Sequence, residues 1–590
     1  MGLLLLLGGA GEPNVRNLFA QNEPGLAIDV EQAYRRGWVF QDANGLTVSA
    51  SPGDPVGLIL DTSRGGLDAI GSDLVSNGTF ATDTVWTKGA NWTIGSGVAT
   101  KTGGAANNLT QTISSTAGLW YRITMDVTRT AGTLTVSLGT SGTTYAITAT
   151  GTYTFFILAG SSTQTLTLAG DSAFAGTVDN VTARLVPGNH AYQTTSGSRP
   201  ALCRTPDGGR RNLLTYSEQF DVTSSGWTKA PLTITANSGT GPLNSEVSAD
   251  TLNMTATPAS GLVYQDAAVT SGTTATFSLY VKKGTGDWIE FFFGSTNYVN
   301  TVAGWFNIST GAIGSVSNSG TGAGASIAIT DAGNGWYRCS LTGACSGVTT
   351  YRCGFFISDN DNSTTRLANG TCSIWGAQLE TGSTATTYQR VTTTHDVTES
   401  GKRDCWGLLA DGSDDSLITT SVDFSSTDKM TVMAGVRKNS DSADAIVCEL
   451  TTSYPVNAGS FYLCAPEAAD SLSYSTASRG TASSNASLRA GFAAATGAAP
   501  DLAVLSATHD LSGDLTTLRR NGVAASNATG NKGSGNFTSS VIYIFRRGGS
   551  TLYFPGILYT LIIRGAATPT GTIADFEKNL LRIRAGLGPF

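Results

Sequence analysis

The chain is predicted to be all-β, on three observations. Two stretches read as copies of one module: Phe80 and Trp86-Thr87-Lys88 recur as Phe220 and Trp227-Thr228-Lys229. Further in, the copies match at one constant offset, Gln111 with Gln265, Ile123 with Phe277, Val127 with Val281, Gly132 with Gly286 and Leu134 with Trp288. Both contain apolar residues at every second place, Ile123/Met125/Val127 and Phe277/Leu279/Val281, which is the period of a strand with one buried face. The composition agrees: 13% of residues are charged and 72 are glycine, so the long runs of Ala, Leu, Glu and Lys that build helices are scarce.

Taken in order, Leu3, Leu4, Leu5, Leu6 and Leu7 form an apolar run without the basic flank of a signal peptide. It reads as an apolar edge strand or as a peg that docks into another protein. Gly8-Gly9-Ala10-Gly11 behind it makes a flexible joint and favours the peg. Residues 1–53 are therefore expected to be a docking segment, with a short helical turn around Asp29 to Arg35. The stretch from Asp54 to Asp61 predicts a short strand, residues 72–187 the first module, and residues 212–391 the second. The remainder to residue 590 reads as short strands, with Asn521-Gly522 as a two-residue hairpin turn. Thr572, followed by Ile573, Phe576, Leu580, Ile583 and Leu587 at helical spacing, predicts one helix packed on the last sandwich.

Net charge is −7, and the basic residues fall in isolated pairs such as Arg210-Arg211, so nucleic acid is not expected as a partner. No apolar stretch is long enough to insert into a membrane. The eight cysteines include no Cys-x-x-Cys pair and no neighbouring histidine, which argues against zinc and for buried thiols. His395-Asp396 and His509-Asp510 lack a nucleophile elbow and read as turn histidines. No catalytic residue and no enzyme activity are expected.

Residues 409–417, 518–522 and 554–559 resemble a laminin-G-like, concanavalin-A-type lectin sandwich. The opening segment of that family looks divided here between Leu60-Asp61-Thr62-Ser63-Arg64-Gly65 and Gly188-Asn189-His190-Ala191. The resemblance implies one sandwich assembled from residues 54–71, 188–211 and 392–590, with the first module inserted in its opening. Arg210-Arg211-Asn212-Leu213-Leu214-Thr215-Tyr216-Ser217-Glu218-Gln219-Phe220, Trp375-Gly376-Ala377-Gln378-Leu379-Glu380 and Tyr388-Gln389-Arg390 resemble a bacteriophage head spike fibre domain, whose jelly roll is similar to carbohydrate-binding modules. This implies a structural protein on the exterior of the virion, a head spike or fibre that displays glycan-binding modules for host attachment. A tail or baseplate fibre with the same adhesin role is the alternative, and a polysaccharide depolymerase the alternative of another class. The expected partners are other virion proteins through the N-terminus, further copies of the chain (a trimer by family habit) and a host surface glycan.

Two sites are proposed on the residues. In the strand from Trp288 to Phe293, Ile289, Phe291 and Phe293 face one way. Trp288, Glu290 and Phe292, with Tyr280 and Lys282 of the neighbouring stretch, would then offer an outward aromatic platform for a sugar or, equally, a subunit contact. Asp411, Asp414 and Asp415 form a tight acidic group that could bind Ca²⁺, or simply a polar turn at the start of a strand. No other cofactor is expected.

Overall fold

The computed structural model describes residues 13–588 except 141, 161–163, 223–225, 244–245 and 259. The chain is all-β and divides into two compact units, Met1–Cys203 with Cys405–Phe590, and Arg204–Asp404. The run of leucines at 3–7 lies outside the described residues.

The first unit is built on a large sandwich. Its central strand, Pro555–Arg564, pairs with Lys429–Lys438 along one edge. Along the other edge it pairs first with Asp404–Asp411 and then with Gly25–Asp29. Asp501–Asp510 and Leu515–Arg520 extend this sheet beyond Lys429–Lys438. The facing sheet has nine strands, in the order Val39–Phe40, Leu58–Ile59, Ala191–Tyr192, Leu417–Asp423, Ser539–Ile544, Ile446–Leu450, Ser460–Cys464, Leu472–Arg479, Arg489–Ala493.

Pro555–Arg564 is apolar on both faces because both are covered. Leu558, Leu561 and Ile563 enter the core between the sheets, while Ile562 packs under the C-terminal helical segment with Ile573, Phe576, Leu580 and Leu581. That segment starts at Thr570 behind Pro569, ahead of the expected cap at Thr572. Proline serves there because the first turn has no use for its missing N–H. A five-residue π stretch, Glu577–Leu581, then shifts the buried stripe, so Leu581 is buried while Ile583 is only half-buried. Asn521 and Gly522 both take positive φ (51° and 83°) between Arg520 and Val523, as the tight hairpin requires.

Residues assigned above to a docking segment are part of this sandwich. Gly25–Asp29 is a fully buried strand, and Trp38, Val39 and Phe40 belong to its core. The expected helical turn forms at Val30–Arg35, with the Asp29 side chain accepting from Gln32 N at its start.

The first module, also in this unit, has two five-stranded sheets around Phe80, Trp86, Ile123, Met125 and Val127. The second unit has two six-stranded sheets around Phe220, Trp227, Phe277, Leu279 and Val281. The internal duplication extends to single hydrogen bonds. Gln111 exchanges both its amide groups with the backbone of Ser76 (2.8 and 2.8 Å), and Gln265 does the same with Thr215 (2.8 and 3.1 Å). Trp86 Nε1 donates to Asn77 O and Trp227 Nε1 to Tyr216 O, each at 3.1 Å. In each copy the tryptophan packs on the matching phenylalanine, with ring centres 5.2 and 4.9 Å apart.

Candidate functional site

The halves of the divided opening segment meet. Asp61 is fully buried and accepts from Ala27 N (2.9 Å), Ser63 N (2.7 Å) and, across the insertion, Asn189 N (2.8 Å). Its own N–H donates to His190 Nδ1 at 3.0 Å. A Cβ on Gly188 would stand 2.8 Å from the Asp61 side chain, so glycine is required for this approach. Burial pushes His190 down to about 4, which keeps it a neutral acceptor. His509 is buried and pushed down to about 3, and burial also lowers His395. His190 and His509 are thereby held neutral near pH 7.

In the second unit the residues that carry the head spike resemblance form a clasp. Asn212 Nδ2 donates to Ala377 O (2.9 Å) and Gln389 O (3.0 Å), and its Oδ1 accepts from Leu379 N (3.2 Å). Gln389 N donates to Gln378 Oε1 at 2.8 Å, and Arg211 N to Gln389 Oε1 at 2.7 Å. Asn212, Gln378 and Gln389 are all fully buried. Such side chains specify a fold because each amide, left unpaired, would cost about 1–3 kcal/mol.

The expected aromatic platform is corrected on two points. Trp288–Gly294 and Ala275–Lys283 lie in opposite sheets, so Tyr280 and Lys282 look outward from the other side of the sandwich and cannot join Trp288, Glu290 and Phe292. Nor is that trio open. Glu290 and Phe292 are each 6% exposed, in a cluster with Trp305 and Phe356, and the Arg366 guanidinium covers Phe356 at 3.8 Å from the ring centre. Glu290 Oε2 is buried there with no hydrogen-bond partner, and desolvation pushes the carboxyl up to about 8 despite Arg366. Tyr280 is likewise buried, among Trp336, Trp375 and Tyr388.

An open groove lies further along the face that carries Glu290. It has a volume of about 410 Å³ and is lined by Arg210, Thr215, Tyr264, Asp266, Arg352 and Thr394, among others. Asp266 and Arg352 are directly opposite across the pairing of Leu262–Ala268 with Thr350–Ser358. The Arg352 fork holds both Asp266 oxygens at 2.9 Å and lies 4.0 Å from the Tyr264 ring centre. The Asp266 contacts keep Arg352 charged, raising its pKa. Tyr264 itself is half-buried. The alternation Val263, Gln265, Ala267 is visible in the sequence and turns Tyr264 and Asp266 outward. Arg352 was missed because only the strand register brings it beside them.

Asp411, Asp414 and Asp415 do come together, with one oxygen of each within 4.8 Å of the others. Their hydrogen bonds are those of a turn: Asp411 Oδ1 accepts from Ser413 N at 2.7 Å, and Asp415 Oδ2 from Asp411 N at 3.0 Å. Partial burial, then the charges of Asp411 and Asp414, push Asp415 up to about 7. These oxygens are of the kind that could hold a Ca²⁺ ion. All eight cysteines are buried and none is in a disulfide, so none joins any of the four between 339 and 372. Among the described residues no helix is long and apolar enough to cross a membrane.

No family model matches the chain, and no curated protein matches it. Among solved structures it is similar to Trypanosoma rangeli sialidase in complex with the inhibitor DANA, at 9% identity and a TM-score of 0.22, over 81% of this chain and 82% of that one. The complex of that sialidase with sialic acid matches at 9% identity and a TM-score of 0.23, over 81% and 82%. A mutant displaying trans-sialidase activity matches at 9% and 0.21, over 85% and 84%. The expectation that the chain is no enzyme is withdrawn, because the structures named here are sialidases. A likeness at this level assigns neither a fold nor an activity to this chain.

Proposed function

We propose that the chain is a display protein on the exterior of a bacteriophage particle, a head spike or fibre, whose second unit holds a host surface glycan in the groove beside Tyr264. That groove carries the reading. A sugar presents C–H faces and ringed hydroxyls. The groove sets an aromatic ring against a charged fork, a carboxylate and the hydroxyls of Thr215, Thr228 and Thr394. The location rests on the head spike resemblance, whose residues are those of the buried clasp. Single-site affinity would be weak and raised by many copies on one particle.

The test is a glycan array probed with the full chain in multivalent form, beside Tyr264→Ala. Binding to a defined glycan set, reduced about tenfold or more in the variant, is expected. Equal binding by the two proteins would refute the groove. Reading the same glycans for released reducing ends reports hydrolysis directly. Antibody labelling of purified particles tests the location.

A further inference from the structure

A second cavity lies in the first unit, on the outer face of the nine-stranded sheet. Strand alternation sends Phe461 and Leu463 into the sandwich core. It leaves Tyr462, Cys464 and Ala477 on the other face, where they meet Ile446 and Tyr454. The cavity over this floor has a volume of about 170 Å³, room for one small ring and not for a chain. Its polar lining includes Tyr454, Tyr462, Glu467, Asn485, Arg489 and Arg547.

Two features of this lining point to a ligand and to its chemistry. The Tyr454 hydroxyl is buried without a hydrogen-bond partner, in a residue only 4% exposed. An unmet buried hydroxyl costs about 1–3 kcal/mol, and Tyr454 lines this cavity, so a ligand that reached the hydroxyl would recover that cost. Both guanidinium groups of the lining are already paired, and Asp444, which also lines the cavity, accepts from Ala469 N at 2.9 Å. Glu467 accepts from Tyr462 Oη at 3.0 Å and forms an ion pair with Arg489 (Nε 3.0 Å away), whose Nε donates to Tyr462 Oη at 3.1 Å, and Arg489 also pairs with Asp470. Arg547 holds Glu449 at 2.9 Å. With both guanidinium groups of the lining neutralised by carboxylates, nothing here calls for an anion. Tyrosine rings, carboxylate oxygens, guanidinium N–H groups and an amide, held rigid by one another, suit a compact neutral molecule bearing several hydroxyls.

We infer that this cavity binds a single neutral pyranose unit, as a site separate from the groove beside Tyr264. It stands on its own residues and does not depend on the groove.

The experiment uses the full chain carrying Tyr264→Ala, so that the groove contributes nothing. Methyl glycosides of glucose, galactose and mannose, with methyl glucuronide as the charged control, are screened by saturation-transfer NMR. At least one neutral glycoside should bind, and the glucuronide no better. Tyr454→Phe removes only the hydroxyl and should weaken binding about tenfold. Ala477→Met fills the floor and should abolish it. No neutral glycoside bound, preference for the glucuronide, or binding untouched by Tyr454→Phe would each overturn the proposal. Should Ala477→Met fail to fold, Tyr454→Phe decides alone. Binding lost on Tyr264→Ala alone would overturn this cavity while leaving the groove standing.

Discussion

Glu290 has one carboxylate oxygen buried without a partner, and it keeps its proton to about pH 8. In the unfolded chain a glutamate releases its proton near pH 4. The folded state therefore binds this proton more tightly, and its contribution to stability is complete below about pH 4. It is lost progressively as pH rises, until the folded group itself ionises at about 8. Glu290→Gln keeps the shape and removes the ionisation. Its advantage over the parent in urea midpoint should widen between pH 4 and pH 8 and stay level above that. A constant difference across the range would mean that Glu290 titrates normally. Asp415 follows the same sign in a half-exposed setting, and a proton-linked shift of its side-chain carbon signal centred near pH 7 should be seen by NMR. At this scale little was legible beforehand. The order Trp288, Glu290, Phe292 specifies which side of the strand each residue takes, but Arg366, which covers the cluster, is supplied by a loop far along the chain.

Strand alternation worked where it had one question to answer. Phe277, Leu279 and Val281 point to the core, as do Ile289, Phe291 and Phe293. It could not say that these two consecutive strands belong to opposite sheets, so two outward faces were taken for one. Within the face that carries Glu290, Tyr264, Gly354, Phe292 and Ala303 stand in register across four strands. A Cβ on Gly354 would lie 2.5 Å from the Phe292 ring, so this glycine lets the ring lie flat over the neighbouring strand. The duplicated element shows the opposite case, where sequence spacing alone matched two residues that play the same part. Gln111 and Gln265 each close a pair of hydrogen bonds to a distant backbone segment. Gln265→Leu would leave an N–H and a carbonyl of Thr215 unmet, at about 1–3 kcal/mol each. Gln111→Leu should cost a similar amount in the first module, measured by denaturant unfolding. Loss in one copy and not the other would show that the duplication is no longer mechanical.

The large sandwich is one structure made from chain segments far apart in sequence, and its two opening pieces are held by Asp61. Its inference from sequence rested on the resemblance of residues 409–417, 518–522 and 554–559 and on the segment broken between 60–65 and 188–191, and a domain inserted at a loop leaves the ends it separates close together. The role of residues 25–53 was hidden, since a strand buried on both faces shows no alternation, and Gly25–Asp29 is such a strand. The joint makes a prediction about the whole molecule. Asp61→Ala strips the acceptor from three N–H groups, the buried ones of Ala27 and Ser63 and the part-buried one of Asn189. At about 1–3 kcal/mol each, that is a large part of the stability of an ordinary domain. Asp61→Asn keeps the size and one acceptor oxygen, so it should lose less. None of these contacts involves residues 204–404. Calorimetry of the full chain should therefore show one transition moved down by several degrees in Asp61→Ala, less in Asp61→Asn, and a second transition, from Arg204–Asp404, at its original temperature. If both transitions move together, the two units unfold as one and the nested arrangement is a single cooperative body. If neither moves, the halves of the opening segment are held by something other than this carboxylate.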